Sequence, residues 1–174
     1  MVAAQRPGPD EYAPAFAGYV ARISDTEEIG SVLSAQMNEV VRRFGGIAEE
    51  RGDYRYAPGK WSIKEVIGHL SDTERIFAYR ALRIGRGDAT PLTGFDDQSY
   101  VAGMRAGSRS LSDVAEEWTT VRAATVGLFR AFPPAAWPLR GTASGHPISV
   151  RALACVIVGH TRHHLETLRA RYGE

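Results

Sequence analysis

Four stretches of this chain repeat apolar residues at three- and four-residue spacing, and each is closed off by glycine or proline. That periodicity limits the fold more than any other property of the sequence. The first stretch opens at Ser24 or Asp25 and carries Ile29, Val32, Leu33, Met37, Val40, Val41 and Phe44 before Gly45-Gly46 interrupts it. The second opens at Ser62, with Glu65 three residues on as a capping box, and runs through Val66, Leu70, Phe77, Ala81 and Ile84 to Gly85 and Gly87. The third opens at Ser110, repeats through Leu111, Val114, Trp118, Val121, Leu128 and Phe129, and stops where Pro133-Pro134 forbids helix. The fourth runs from near Ser149 to about Tyr172. Helices of roughly 20 residues, each about 30 Å long, predict an all-α fold: an antiparallel four-helix bundle with long crossover connections.

The 174 residues fit one domain, residues 1–174, of which residues 1–23 read as an irregular arm packed on the bundle, rich in proline and aromatics. Between helices, Asp88 to Arg109 is too long for a plain loop. It is expected to hold a short helix near Phe95 to Met104 that acts as a lid or a dimer contact. Trp137 to Ile148, with its Ser144-Gly145 turn signal, is expected to form a small hairpin.

Charge and cysteine usage remove several classes of function. With 21 basic and 20 acidic residues the net charge is +1, so there is no broad basic field for a phosphate backbone, and nucleic acid is not expected as a partner. A single cysteine, Cys155, excludes an internal disulfide framework and any thiolate metal cluster within one chain. The N-terminal MVAAQRPGPDEYAP has no basic segment followed by an apolar core, and no membrane-length apolar run occurs, so a cytoplasmic protein is expected.

The histidines carry the chemistry. Residues four apart on a helix lie within about 40° of each other, so His160 and His164 project from one face and can bind one ion. At about 100° per residue, Leu153, Ile157, His160, His164 and Leu168 span about 80°, which puts the two imidazoles on the stripe facing the bundle core. His163 falls about 60° to the other side, as an outer residue, although a His160–His163 pair is also geometrically allowed. A third ligand must come from elsewhere, and His69 is preferred over His146: it lies beside the core positions Val66 and Leu70, whereas His146 sits in a Gly-Pro loop. Asp72, three residues beyond His69, is a candidate fourth ligand, general base, or carboxylate orienting His69. Imidazole and water ligation suits Zn, Ni, Fe or Mn. Ligand protonation predicts that affinity falls below about pH 6.5, the reference histidine value.

The stretch WSIKEVIGHLSDTERIFAYRALRIGRGD from Trp61 to Asp88, GTASGHPISVRALACVIVGHTRHHLETL from Gly141 to Leu168, and AGYVARI in the arm resemble the DinB-like or YfiT-like superfamily. The resemblance implies an up-down-down-up four-helix bundle, and its metal-binding triad falls on His69, His160 and His164. It also implies a choice of activities. Characterised relatives include metal-dependent transferases acting on bacillithiol or mycothiol and a thiol-dependent maleylpyruvate isomerase. The expected function is a metal-dependent transferase that activates a low-molecular-weight thiol cosubstrate, or water as a hydrolase would, for attack on a small electrophile. The competing expectation is a non-catalytic, stress-related bundle that binds metal or ligand.

Other marked residues have plainer readings. Cys155 stands about 140° from His160 around the helix and reads as a small buried apolar residue. Trp61 and Trp118 read as packing. Arg75, Arg80, Arg83 and Arg86 form a basic edge, read first as a solvated or salt-bridged face and second as a hold for an anionic substrate. Asp96 and Asp97 are lid or turn residues. The segment ALACVIVGH is apolar nearly all round, which requires either a central place in the bundle or burial against a second copy, and so points to a homodimer, as does the resemblance.

Overall fold

In the computed structural model, which describes residues 6–174, six α-helices and one hairpin follow the order α1 (Ala17–Val20), α2 (Ile29–Gly45), α3 (Ile63–Gly85), α4 (Asp97–Gly103), α5 (Leu111–Arg130), β1 (Arg140–Ala143), β2 (His146–Ser149) and α6 (Val150–Thr167). The last helix passes into a π-helical turn, Leu168–Tyr172. No described helix is long and apolar enough to cross a membrane. The four long helices are those expected from the periodicity, and their starts are fixed by local chemistry. Ser62 Oγ accepts from Glu65 N while Glu65 Oε2 accepts from Ser62 N at 2.7 Å, the reciprocal capping box. Ser110 and Ser149 cap α5 and α6 in the same way, accepting from Asp113 N and Ala152 N. The first long helix starts later than expected. Ser24 and Asp25 remain in the preceding loop, and Glu28 is the cap, its carboxylate accepting from Gly30 N and Ser31 N. Charge-assisted bonds to two orphan N–H groups outcompete a serine further upstream.

α3 packs mainly on α5 and α6, and α2 packs on the same two helices, so α2 and α3 stand diagonally across the bundle, as do α5 and α6. Two apolar clusters fix the direction of each helix. One gathers Leu33 of α2, Phe77 and Ile84 of α3, Phe129 of α5 and Leu153 of α6. The other gathers Val40 and Phe44 of α2, Ile63 and Leu70 of α3, Leu111 and Trp118 of α5 and Leu165 of α6. α2 and α6 therefore run from the first cluster to the second, and α3 and α5 run back. Because α3 and α5 run the same way, the chain between them must return the length of the bundle. That need explains the long segment 86–110 and the α4 turn inside it, which the sequence placed correctly.

Between the two clusters lies a polar layer. Arg122 of α5, fully buried, donates from Nε and Nη2 to the two carboxylate oxygens of Glu74 on α3 at 2.7 and 2.8 Å. Its Nη1 donates to Gln36 Oε1 of α2 at 2.7 Å, and Nη2 also reaches Thr161 Oγ1 of α6 at 3.1 Å. Gln36 Nε2 in turn donates to the Val158 carbonyl of α6 at 3.1 Å. All four long helices meet at one guanidinium.

The arm is more ordered than its prolines suggest. Residues 9–11 and 14–16 form short 3-10 turns, the first packed on β2, and α1 follows and packs along α6; the first five residues of the expected arm lie outside the described residues. Arg151 holds the buried Glu11 carboxylate through two hydrogen bonds, and Arg162 binds both the Arg22 carbonyl and Glu27. A Cβ on Gly159 would stand 2.1 Å from the Tyr19 carbonyl oxygen, so the absence of a side chain there admits the arm. The all-round apolar surface of ALACVIVGH is thus buried within one chain, by the bundle on one side and the arm on the other, and does not itself call for a second subunit.

Two outcomes follow from this packing. Gly159→Ala should destabilise the protein by about 1–3 kcal/mol and loosen the arm, seen as a lower melting temperature and faster proteolytic cleavage before α2. Glu74→Leu and Arg122→Met should each cost about 3–5 kcal/mol in urea unfolding, because each leaves one buried charge unpaired, while the double variant should lose clearly less than the sum.

Candidate metal centre

α3 presents His69, Thr73, Phe77 and Arg80 on one face, at offsets of four, eight and eleven residues that all fall within about 80°. α6 presents His160, His163 and His164 toward it. The two faces enclose a cavity of about 410 Å³, closed by Phe16 and Tyr19 from the arm, Trp61 before α3, Phe95 and Asp97 from the returning segment, and Ser144 from the hairpin turn.

At its floor the three histidines expected from the sequence converge. His160 Nε2 lies 3.0 Å from His69 Nε2 and 3.1 Å from His164 Nε2. All three rings offer a ligand nitrogen within 4.8 Å of the others. His69 and His160 are buried, and His164 is partly buried. Burial pushes the His69 imidazole down to about 4, and burial together with neighbouring histidines pushes His164 to about 3 and His160 well below its ordinary value. All three are neutral at pH 7. A neutral ring has a single proton, so His160 Nε2 is either a donor or a lone pair, and in neither state can it make a full hydrogen bond to both neighbours. A shared cation satisfies all three lone pairs at once. Nitrogens about 2.0–2.1 Å from a tetrahedral ion stand about 3.3 Å apart, within a few tenths of an ångström of the spacing here. The donor set therefore fits a divalent ion with borderline preference and leaves further coordination positions to non-protein ligands.

The surroundings of the triad are aromatic. The Trp61 ring lies 4.7 Å from that of His69, and its Nε1 donates to Gln98 Oε1 at 3.3 Å, so Trp61 is a wall of the cavity and not a mere packing residue. Tyr19 meets His160 edge-on at 5.2 Å. Thr73 Oγ1 lies 3.4 Å from His69 Nδ1. His163 stands at the rim, with Arg22 Nη2 at 3.4 Å from its Nδ1, in the outer position expected for it. His146 is exposed on β2, apart from the triad.

Asp72 is not brought to this cavity. Its offset from His69 turns it toward α5, where it pairs with Arg75 at 3.3 Å, and Arg75 also binds Glu117 at 2.6 Å. Burial raises the Asp72 carboxyl against the opposing pull of Arg75, and Asp72 is not among the residues that line the cavity. The carboxylate that lines the cavity is Asp97, at the start of α4, and it draws the His69 value upward against burial. Asp96 beside it is the cap of α4, accepting from Ser99 N at 2.7 Å. Cys155 is buried, and burial pushes its thiol up to about 12, so it supplies no nucleophile.

Among solved structures, the chain is similar to YfiT from Bacillus subtilis, described as a probable metal-dependent hydrolase with an unusual four-helix bundle topology. The TM-score is 0.72 at 16% identity, over 94% of each chain. It is also similar in fold to a mycothiol-dependent maleylpyruvate isomerase, with a TM-score of 0.65 and 13% identity over 79% of this chain and 58% of that one. No curated protein matches the sequence. The family model of the DinB superfamily matches residues 33–168, from α2 through the last turn of α6 and across all three convergent histidines. The chain belongs to the DinB superfamily.

Proposed function

We propose that His69, His160 and His164 hold a divalent metal ion and that the protein is a metal-dependent enzyme, one that activates a low-molecular-weight thiol, or water, for attack on a small electrophile. The observation that carries this reading is the convergence of three neutral imidazole nitrogens at the floor of a cavity large enough for a small molecule. A structural ion would be closed off by four protein ligands; here three nitrogens face open space, which favours catalysis over a purely structural role. An ion in that position would lower the pKa of a bound thiol or water and hold the anion formed.

The chain's own residues supply the rest. Asp97 is the carboxylate placed to accept a proton inside the cavity. Trp61, Tyr19, Phe77 and Phe95 exclude bulk water and offer flat surfaces to a substrate. Any reacting sulfur arrives with a cosubstrate, since Cys155 is buried and held protonated. The mycothiol dependence of one structural relative supports the thiol branch, and the hydrolase description of the other supports the water branch. Assembly as a homodimer and a cytoplasmic place are compatible with this role.

Untagged protein purified without chelators should carry one divalent ion per chain by elemental analysis. Ala substitution of His69, His160 or His164 should each reduce affinity at least about tenfold with helical content preserved by circular dichroism. Protein that neither carries nor takes up a metal would overturn the assignment. In the cobalt form, a panel of small thiols should change the visible spectrum; a spectrum indifferent to thiols and to hydroxide would leave the ion structural. The pH dependence differs from that of free histidine. Because the folded imidazoles titrate near 4 or lower, metal affinity should hold well below pH 6.5, where reference histidine already competes with protons. The metal-free protein should meanwhile lose stability as pH falls from about 6.5 toward 4, where the unfolded chain binds protons that the folded one refuses; differential scanning calorimetry across that range checks the sign.

A further inference from the structure

Of the four arginines on the basic edge of α3, three are accounted for. Arg75 is paired with Asp72 and Glu117, Arg83 with Asp88, and Arg86 stacks over Phe132. Arg80 differs from all of them. Only 3% exposed, it forms no ion pair among the described residues. Its Nη2 donates to the Thr93 carbonyl at 2.8 Å and to Ser144 Oγ at 3.0 Å, while Nε and Nη1 donate to no described acceptor. The guanidinium is gripped from two sides by aromatic rings, with its central carbon 5.7 Å from the centre of Phe77 and 5.9 Å from that of Phe95. Ser144 adopts a left-handed backbone at the hairpin turn, and its N–H is tied to the Leu92 carbonyl at 2.9 Å, so the loop and the hairpin together fix Arg80 in place.

A buried guanidinium with no counter-ion is costly, whereas Arg75 and Arg83 of the same helix are each paired with carboxylates. Arg80 lines the histidine cavity, at the end opposite the triad. Arg80 lies within about 20° of His69 around α3 and about 16 Å further along its axis, a gap shortened by a side chain that leans back toward the helix start. Asp97 acts on His69 and not on Arg80, so the carboxylate belongs to the triad end and the arginine stands alone at the other.

We propose that Arg80 is the specificity residue of this site, and that the substrate is an elongated small molecule with an anionic group, a carboxylate or its equivalent, bound by Arg80 while its reactive end lies over the histidines. This rests on the metal reading for the reactive end alone; the anion-binding end stands on Arg80 itself. Phe77 and Phe95 flank the guanidinium without neutralising it, and they present an apolar passage to the middle of such a molecule. Arg80 also borders a groove of about 310 Å³ shared with Tyr79 and Arg83, which offers an anion a different seat away from the triad.

The test uses the ω-amido monocarboxylates from succinamate to suberamate, each against its uncharged diamide, titrated into the cobalt-loaded protein. One chain length should bind best, at least about tenfold more tightly than its diamide, and should alter the cobalt spectrum. Arg80→Gln should erase that preference with metal content unchanged, and Arg80→Lys should keep part of it. Equal binding of amido acid and diamide by the wild-type protein would overturn the proposal, whatever the variants do. So would a preference that survives in Arg80→Gln, or amido acids that bind without touching the spectrum, which would seat them in the outer groove. Failure of metal loading is a separate result that removes the metal reading alone. Calorimetry with the metal-free protein and the same pairs then judges Arg80, with an Arg80-dependent preference supporting it and equal binding overturning it.

Discussion

The Arg122 guanidinium, buried in the middle of the bundle, sets the frame on which the site depends. It binds Glu74, Gln36 and Thr161 at once, one residue from each of the other three long helices, and its central carbon lies 4.8 Å from the centre of the Trp118 ring. Apolar packing tolerates sliding of one helix against another by a fraction of a turn; a bidentate pair with a third and fourth acceptor does not. Thr161 follows His160 directly, and Glu74 follows the Thr73 that faces His69. The bonds that lock helix register therefore lock the relative height of the imidazoles. This gives the desolvated charge pair a positional role, whatever its net contribution to stability.

Topology does the second part of the positioning. Neighbouring helices that run the same way cannot be joined by a short turn, so the chain between α3 and α5 has to cross the length of the bundle. It crosses on the side where α3 and α6 expose their histidines, and it leaves Phe95 and Asp97 against the cavity on the way. The diagonal step from α5 to α6 likewise leaves room for the hairpin, whose turn carries Ser144. The arm closes the remaining side because Gly159 lets its backbone touch α6. A bundle whose neighbouring helices were all antiparallel and joined by short turns would supply the same three histidines and none of these walls.

The legibility of the site in the sequence followed the range of the interactions involved. His160 and His164 were readable from a four-residue spacing on one helix, and His69 from its place among core positions on another. Arg80 was partly readable, since its offset of eleven residues returns to the face of His69, yet its lack of a carboxylate partner was not. Asp72 stands close to His69 in sequence, but three residues turn a side chain about 60° away on a helix, enough to point it at α5. Asp97, which does reach the cavity, is 28 residues from His69, and no periodicity connects the two. A lone aromatic before a helix start, such as Trp61, carries no directional signal in the sequence.

The sequence by itself determined the four long helices, their serine caps at Ser62, Ser110 and Ser149, the short helix and hairpin in the two long connections, and the histidines able to meet. Each of these rests on contacts within a few residues, or on the requirement that an apolar stripe be buried. Tertiary structure alone decided that Arg122 would join all four helices, that the arm and not a second copy would cover ALACVIVGH, and that one arginine of four would be buried without a counter-ion beside the histidine cavity. Those outcomes depend on which charged side chain meets which partner across the bundle. Arginine and carboxylate side chains occur on both the solvated and the buried faces of these helices, so only the packed arrangement distinguishes them.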